Sequence, residues 1–399
     1  MPPLRVAVIG GGIGGLTAAL ALHKYGLQAD VYEQAAEFTE VGAGVSLGPN
    51  ALTLLRRLGL EQQLDAIAAR PTGYEMRRGR DGKVLYETHS SGPLREMRPL
   101  TMHRGHLIKV LEASVPPEQL HPGMRCTSVE DRDGHVTVSF ADGSVADVDV
   151  VVGADGIHST VRSMHYDDTP VFSGTIAYRG LVPMDRLPFL GEAQRHLTFW
   201  FGPRRHLLTF PVARGELMNM VAFVPADDAW AEESWTAPGE VDVLARHFEG
   251  WETAAVGVVR ALDATMRWAL YDREPLPTWS FGRVTLLGDA AHAMLPHQGQ
   301  GAVQSIEDAV VLARCLERAA PEDMSEWLKL YERVRKPRAE RVQQASRLTG
   351  EIYRLADAAE QERLVPTALS TRGEWLWNYD ADRAFEEALA SSGLRATTP

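Results

Sequence analysis

The chain has 399 residues, 45% hydrophobic and 24% charged, an ordinary globular composition with room for about two domains at roughly 150 residues each. Its 41 basic and 53 acidic residues give a net charge of −12, which argues against a general nucleic-acid binder or a protein that coats anionic membranes. No apolar run approaches the roughly 18 residues that span a bilayer, nothing after Met1-Pro2-Pro3-Leu4-Arg5 reads as a signal peptide, and the two distant cysteines, Cys126 and Cys315, fit neither a metal site nor a disulfide framework, so a cytoplasmic protein is expected.

Val6-Ala7-Val8-Ile9 predicts a strand buried on both faces. It runs into Gly10-Gly11-Gly12-Ile13-Gly14-Gly15, then a helix from Leu16 to Lys24 stopped near Gly26, then a second strand from Ala29 to Glu33. In the spacing Gly10-x-Gly12-x-x-Gly15, the first glycine permits a tight turn and the second lets backbone approach a pyrophosphate. The third lets helix and strand pack closely, and the acid at Glu33 accepts ribose hydroxyls. The glycines alone would equally describe a loop. With strand, helix, second strand and acid in register, they predict a dinucleotide site.

A second Gly-rich stretch, Glu40 to Asn50, precedes a helix from about Ala51 to Leu58. Its glycines suit close approach to a flat ring, or a plain connection. Residues 72–100 read as strands with turns at Arg80-Asp81-Gly82 and Ser91-Gly92-Pro93. Arg104 opens a helix running to Ala113, where the helix dipole prefers an acid; a bound phosphate explains it, and so does a surface position. Hairpin-like strands over 124–152 lead into Gly153-Ala154-Asp155-Gly156-Ile157-His158-Ser159-x-x-Arg162, a ligand-facing edge of an α/β sheet.

From about Thr169 to Thr278 alternating segments predict an antiparallel, β-rich unit with helix over 239–262. The strand Val284 to Leu287 then ends at Gly288-Asp289. A loop with His292 and His297 follows, and a helix begins near Gly301 with a bare N-terminus suited to an anionic or electron-rich ligand. Beyond Asp308 the chain reads as largely helical, with Pro337 expected to kink or break a helix and with Trp375 and Trp377 packed. The predicted fold is α/β. A Rossmann-like domain comes from 1–71, 101–168 and 280–340, a β-rich domain from 72–100 and 169–279, and a helical C-terminal segment from 341–399. A single complete glycine fingerprint means one fixed dinucleotide.

Gly10-x-Gly12-x-x-Gly15 with Glu33, Gly153-Ala154-Asp155-Gly156, and Gly288-Asp289-Ala290-Ala291-His292-x-x-x-Pro296 stand together in this order. The combination resembles the group A flavoprotein aromatic hydroxylases, FAD monooxygenases of the para-hydroxybenzoate hydroxylase-like fold, over nearly the whole chain. The stretches Glu40 to Asn50, Ser173 to Gly180, His292 to Gly299 and Trp375-Leu376-Trp377-Asn378 are most similar to the salicylate hydroxylase branch. The 3-hydroxybenzoate 6-hydroxylases and 6-hydroxynicotinate 3-monooxygenases share much of this. The resemblance implies FAD, NADH or NADPH as electron donor, and O₂. It implies Gly10, Gly12, Ile13, Gly14 and Gly15 at the FAD pyrophosphate and Glu33, with Gln34 beside it, at the adenosine ribose. Gly44 and Arg104 would lie by the FAD and Asp289 at the ribityl chain. Gly299, Gly301 and Ala302 would lie under the pyrimidine edge, and Asp155 belongs to a motif linked to both FAD and NAD(P)H.

The implied reaction hydroxylates a phenolic aromatic carboxylate through a flavin hydroperoxide, with salicylate to catechol and loss of CO₂ the leading expectation. A phenol with pKa near 10 needs a base, and histidine suits neutral pH. Of 13 histidines, two stand out. His206 precedes the strand Leu207 to Val212 and matches a histidine of related hydroxylases; His297 lies in the loop facing the flavin. Each has a structural alternative. Phe210 and Pro296 are expected around the ring. Arg78, Arg179 and Arg205 are candidates for the carboxylate, or surface charges. A monomer or homodimer without nucleic-acid or membrane partners is expected, and the rival class is a flavin reductase or carrier that inserts no oxygen.

Overall fold

The computed structural model describes residues 4–38, 44–89, 99–132, 134–226, 237–370 and 373–394. The turn expected at Ser91-Gly92-Pro93 and the start of the Glu40–Asn50 stretch lie outside them. Among the described residues two large sheets carry the architecture. The first has six strands in the order Ser280–Phe281, Val284–Leu286, Val150–Gly153, Arg5–Ile9, Gln28–Glu33, Leu120–Pro122. All neighbours run parallel except the 280–286 hairpin. Val6, Val8, Val150, Val151 and Val152 are fully buried, as apolar β-branched residues of central parallel strands must be.

The parallel register matters most for function. Ile9 stands opposite Gly153 on one side and Tyr32 on the other, and Gly153 stands opposite Leu286. Three motifs far apart in sequence therefore leave the sheet at one edge, the carboxyl ends of the strands, where ligands bind in open α/β sheets.

The second sheet has eight strands in the order Ala237–Gly239, Thr265–Asp272, Val171–Pro183, Leu217–Pro225, Arg205–Val212, His196–Gly202, Gly73–Arg78, Val84–His89. Alternation divides its faces. Leu207 packs with Leu244, Val258 and Val259 of two short helices, whereas His206, Leu208 and Phe210 point to the other face, toward the first sheet's loops. Those helices, Val241–His247 and Thr253–Arg260, replace the single helical stretch expected over 239–262. Gly44–Leu47 is a strand paired antiparallel with Leu100–His103.

Pro337 does not break its helix. Met324–Tyr353 runs unbroken for 30 residues. Proline removes one backbone bond there, and buried side chains on both sides of it hold the turn. Arg335 lies between Glu307 at 2.7 Å and Asp308 at 2.8 Å, all three with fully buried side chains. Asp308 also receives the Gly288 amide at 3.1 Å and meets His292 Nε2 at 2.6 Å. Glu307 takes the Asn50 amide at 2.7 Å and pairs with Arg338 at 3.4 Å. Burial opposes the Asp308 carboxylate, but His292 and Arg335 more than offset it and hold its pKa below the usual range. Burial likewise opposes the Arg335 charge, and Glu307 and Asp308 keep it protonated. Arg335→Met would leave two buried carboxylates short of a countercharge. Such losses cost about 3–5 kcal/mol, so denaturant unfolding should show a loss of that order; a change under about 1 kcal/mol would contradict the assignment.

Candidate active site

One cavity of about 740 Å³ runs from the carboxyl edge of the parallel sheet to the inner face of the eight-stranded sheet. Every expected site residue lines it except Gly15 and two of the three candidate arginines, Arg78 and Arg205.

At the parallel-sheet end the glycine loop behaves as its spacing demands. Gly10 has φ 109°, and a Cβ there would sit 2.4 Å from the Ala154 carbonyl oxygen. A Cβ on Gly15 would sit 1.9 Å from the Gly10 carbonyl oxygen, so Gly15 serves helix packing and not the cavity wall. Gly12, by contrast, faces open space. Glu33 accepts the Gly11 amide at 2.7 Å and the Ala35 amide at 2.8 Å, bracing the loop while it lines the cavity. The Ile13–Lys24 and Gly301–Leu316 helices both begin at this cavity, and neither has a side-chain cap. Their first N–H groups and positive dipole ends suit a pyrophosphate and an anionic ring.

Two carboxylates flank these termini. Burial raises the pKa of Asp289, opposed by His292 and Arg104. Burial also raises Asp155, opposed by hydrogen bonds from Ser159 and the Val161 amide. Buried acids of this kind suit hydroxyl-bearing ligands, which donate to a carboxylate and accept from a carboxylic acid. The Gly299–Gly301 backbone, with Gly299 at φ 63° and open space beside it, lets a flat ring lie close. Anion-binding helix ends, acids for hydroxyls and a bare backbone shelf fit FAD.

The far end is aromatic. His206, only 2% exposed, stacks on Phe223 at 4.2 Å and Phe201 at 5.6 Å between ring centroids, with Tyr353 edge-on at 4.8 Å. His297 lies 5.8 Å away across the cavity, its ring seated on Gly350, where a Cβ would come within 2.6 Å. Burial, with His297 adding to it, pushes the His206 pKa well below 6.5. Its imidazole is therefore neutral at pH 7 and can accept a proton. Phe210 and Pro296 line the same end, and Phe210 packs so near Gly44 that a Cβ there would lie 2.5 Å from the ring.

The comparisons with known proteins agree with this geometry. A sequence family described as the FAD binding domain matches residues 3–346. The chain belongs to the FAD-dependent aromatic hydroxylases. This hydroxylase is 41% identical to the 3-amino-4-hydroxybenzoate 2-monooxygenase PtnB3 of Streptomyces platensis, with 94% of this chain and 96% of the relative covered. It is 40% identical to a salicylate hydroxylase of Pseudomonas putida, covering 98% and 96%. A solved salicylate hydroxylase substrate complex superposes with a TM-score of 0.83 at 34% identity, covering 97% of this chain and 98% of the other.

Of the three arginines weighed for a carboxylate, only Arg179 lines the cavity of the hydroxylase, its guanidinium 4.6 Å from the Trp268 ring centre. Arg78 is corrected: its guanidinium is drawn off to Glu362 at 3.0 Å and Asp81 at 3.3 Å, away from the wall. Arg205 turns to the His247 and Pro203 carbonyls. His292 is buried on Asp308, in keeping with a structural role. Sequence reasoning missed Tyr74, Phe199, Phe223, Trp268, Tyr353 and Trp377, all on the wall. Strand alternation pairs the two phenylalanines' faces but not which face is inward, and Tyr353 arrives on a helix with no local signal. No helix among the described residues is long and apolar enough to cross a bilayer.

The depressed His206 pKa has a consequence for stability. Unfolded, the residue titrates near 6.5; folded, it stays neutral far lower. The unfolded chain binds the extra proton in that window, so this contribution is complete above about pH 6.5 and is lost as pH falls below it. The thermal midpoint of the wild type should therefore drop more steeply from about pH 7 to 5.5 than that of His206→Phe. Parallel curves would contradict the buried neutral imidazole.

Proposed function

We propose that this hydroxylase acts on a single-ring phenolic carboxylate and that salicylate, giving catechol and CO₂, is the leading substrate. The observation that carries the reading is His206, a neutral imidazole held between Phe201 and Phe223 in the same cavity as the nucleotide loops. His206 takes the phenolic proton, making the ring electron-rich. His297 orients the oxygen from the facing loop, and Phe199, Phe210 and Pro296 wall the ring from water. Gly10, Gly12, Ile13 and Gly14 hold the FAD pyrophosphate, and Glu33 and Gln34 the adenosine end. Arg104, Asp155 and Asp289 hold the remaining polar groups, and Gly44, Gly299, Gly301 and Ala302 frame the flat ring. Bound FAD, reduced by NAD(P)H, supplies the activation of O₂. One oxygen atom enters the ring at the carboxylate-bearing carbon, that carbon–carbon bond breaks to release CO₂, and the other oxygen leaves as water. The two sheets are proposed as two domains, with boundaries near 72, 101, 169 and 280 and a helical segment from 341.

A second reading is favoured by Arg179. Its strand is separated from that of His206 by Leu217–Pro225, and its guanidinium leans away onto Trp268. A carboxylate on Arg179 and a phenol on His206 fit opposite ends of a ring better than adjacent carbons. The substrate named for the Streptomyces relative has that para arrangement.

Holoenzyme supplied with NADH or NADPH and a panel including salicylate, 3-hydroxybenzoate, 6-hydroxynicotinate and 3-amino-4-hydroxybenzoate tests both readings. Ring-dependent NAD(P)H oxidation is expected, with one atom of isotopically labelled O₂ in the product. CO₂ release with salicylate marks the first reading; oxygenation of the para compound without CO₂ marks the second. His206→Ala should lower turnover at neutral pH by about 10²–10⁴-fold. Failure of every ring compound to accelerate reduction, or full turnover in that variant, would contradict the proposal.

A further inference from the structure

The turn at Gly373–Trp377 is absorbed by none of the chemistry above. It is pinned from the long helix: Arg338 Nη1 donates to the Trp375 carbonyl at 2.8 Å and Nη2 to the Leu376 carbonyl at 2.7 Å. Leu376 is fully buried, and the Arg341 guanidinium lies 4.1 Å over the Trp375 ring. A turn fixed at two successive carbonyls fixes the direction of the residue that follows. That residue is Trp377, and its half-buried side chain reaches the cavity wall.

Its neighbours place it at the sheet side of the cavity. The Tyr74 ring is 6.2 Å away, tilted by 42°. Tyr74 stands opposite Leu197 in the parallel pair of strands, and both line the cavity with Phe210. On its other side the indole lies against Gly48, where a Cβ would come within 3.3 Å of Cδ1 and 3.4 Å of Nε1. The ring therefore has backbone on one side and an aromatic neighbour on the other. Moving the turn would release the Arg338 contacts to its backbone, and a flat, two-torsion side chain loses little entropy in lying between these neighbours.

We propose that Trp377, backed by Tyr74, is the end wall that limits the substrate cavity to single-ring hydroxy-carboxylates and excludes fused two-ring ones. The inference rests on the reading of the cavity as an aromatic-acid site. A second fused ring adds flat apolar surface that gains binding energy only where it is buried. In this proposal the indole and the Tyr74 ring, both on the cavity wall, take up the space that such a ring would need.

The test is equilibrium binding to oxidised holoenzyme without NAD(P)H, read from perturbation of flavin absorbance. Salicylate and 4-hydroxybenzoate are compared with 1-hydroxy-2-naphthoate and 6-hydroxy-2-naphthoate, and FAD content is measured for each protein. Trp377→Ala should improve the two-ring to one-ring affinity ratio by about tenfold or more, Trp377→Leu by less, and Tyr74→Ala in the same direction. An unchanged ratio in FAD-replete variants would overturn the inference. Loss of FAD from both Trp377 variants would put the indole against the cofactor and overturn it as well. If wild-type protein binds none of the four acids, the aromatic-acid reading itself fails, whereas tight one-ring binding with an unchanged ratio defeats only the end wall.

Discussion

The Glu307–Asp308 pair on the Gly301–Leu316 helix, neutralised by Arg335, is the interaction on which the site depends. Two carboxylates with no exposure are tolerable only because Arg335 sits between them and because their remaining oxygens are taken by the Gly288 amide, His292 and Asn50. Those partners come from three distant stretches. Asn50 brings the second Gly-rich segment, Gly288 the end of a parallel strand, and Arg335 the long helix. Arg338 extends the same network to the carbonyls of Trp375 and Leu376. The helix whose N-terminus faces the cavity is thus also the member to which the cavity's other walls are tied. Its geometry can tolerate little slack, since a buried charge that moves off its partner is costly.

Within that frame the cavity has two electrostatic characters. At the parallel-sheet end, uncapped helix termini, Arg104 and buried acids offer strong polar groups to a charged, hydroxyl-rich cofactor. At the other end, stacked rings surround His206 and remove water from it, leaving an acceptor without charge. A cationic imidazole there would hold a phenolate in place by ion pairing. In the proposed reaction a neutral one accepts the proton itself, the step that would activate an aromatic ring toward an electrophile. The low intrinsic basicity of a desolvated histidine works against this. The proton it accepts, however, leaves a negative oxygen beside it, and that pairing restores part of the basicity lost on burial.

Much of this was legible in the sequence because the cofactor end is built from backbone. Gly10, Gly12 and Gly15 are legible because their spacing falls in register with strand, helix, second strand and acid; Gly10 and Gly15 answer steric demands of the fold itself, and Gly12 leaves open space at the cavity. The strand–loop–helix around Asp289 and Gly301 is read for the same reason. The substrate end depends on side-chain direction across a sheet and on a helix arriving from far along the chain. Period-2 alternation groups His206, Leu208 and Phe210 on one face but does not say which face is inward. Arg78 illustrates the limit: its charge suggested a carboxylate partner, and its fate was decided by Glu362 on a helix that no local pattern connects to it. Pro337 was expected to kink or break its helix, and the helix is unbroken because propensity describes an isolated helix, whereas ion pairs on both sides of the proline hold this one.

The claim that joins these parts is that His206 takes the phenolic proton of the bound ring. It is tested most directly by the ionisation of bound 4-hydroxybenzoate, followed through its ultraviolet phenolate band in oxidised holoenzyme across pH. The account predicts that the bound phenol ionises well below the ordinary value of about 10 in the wild type and returns toward it in His206→Gln. Identical ionisation in the two proteins would contradict it.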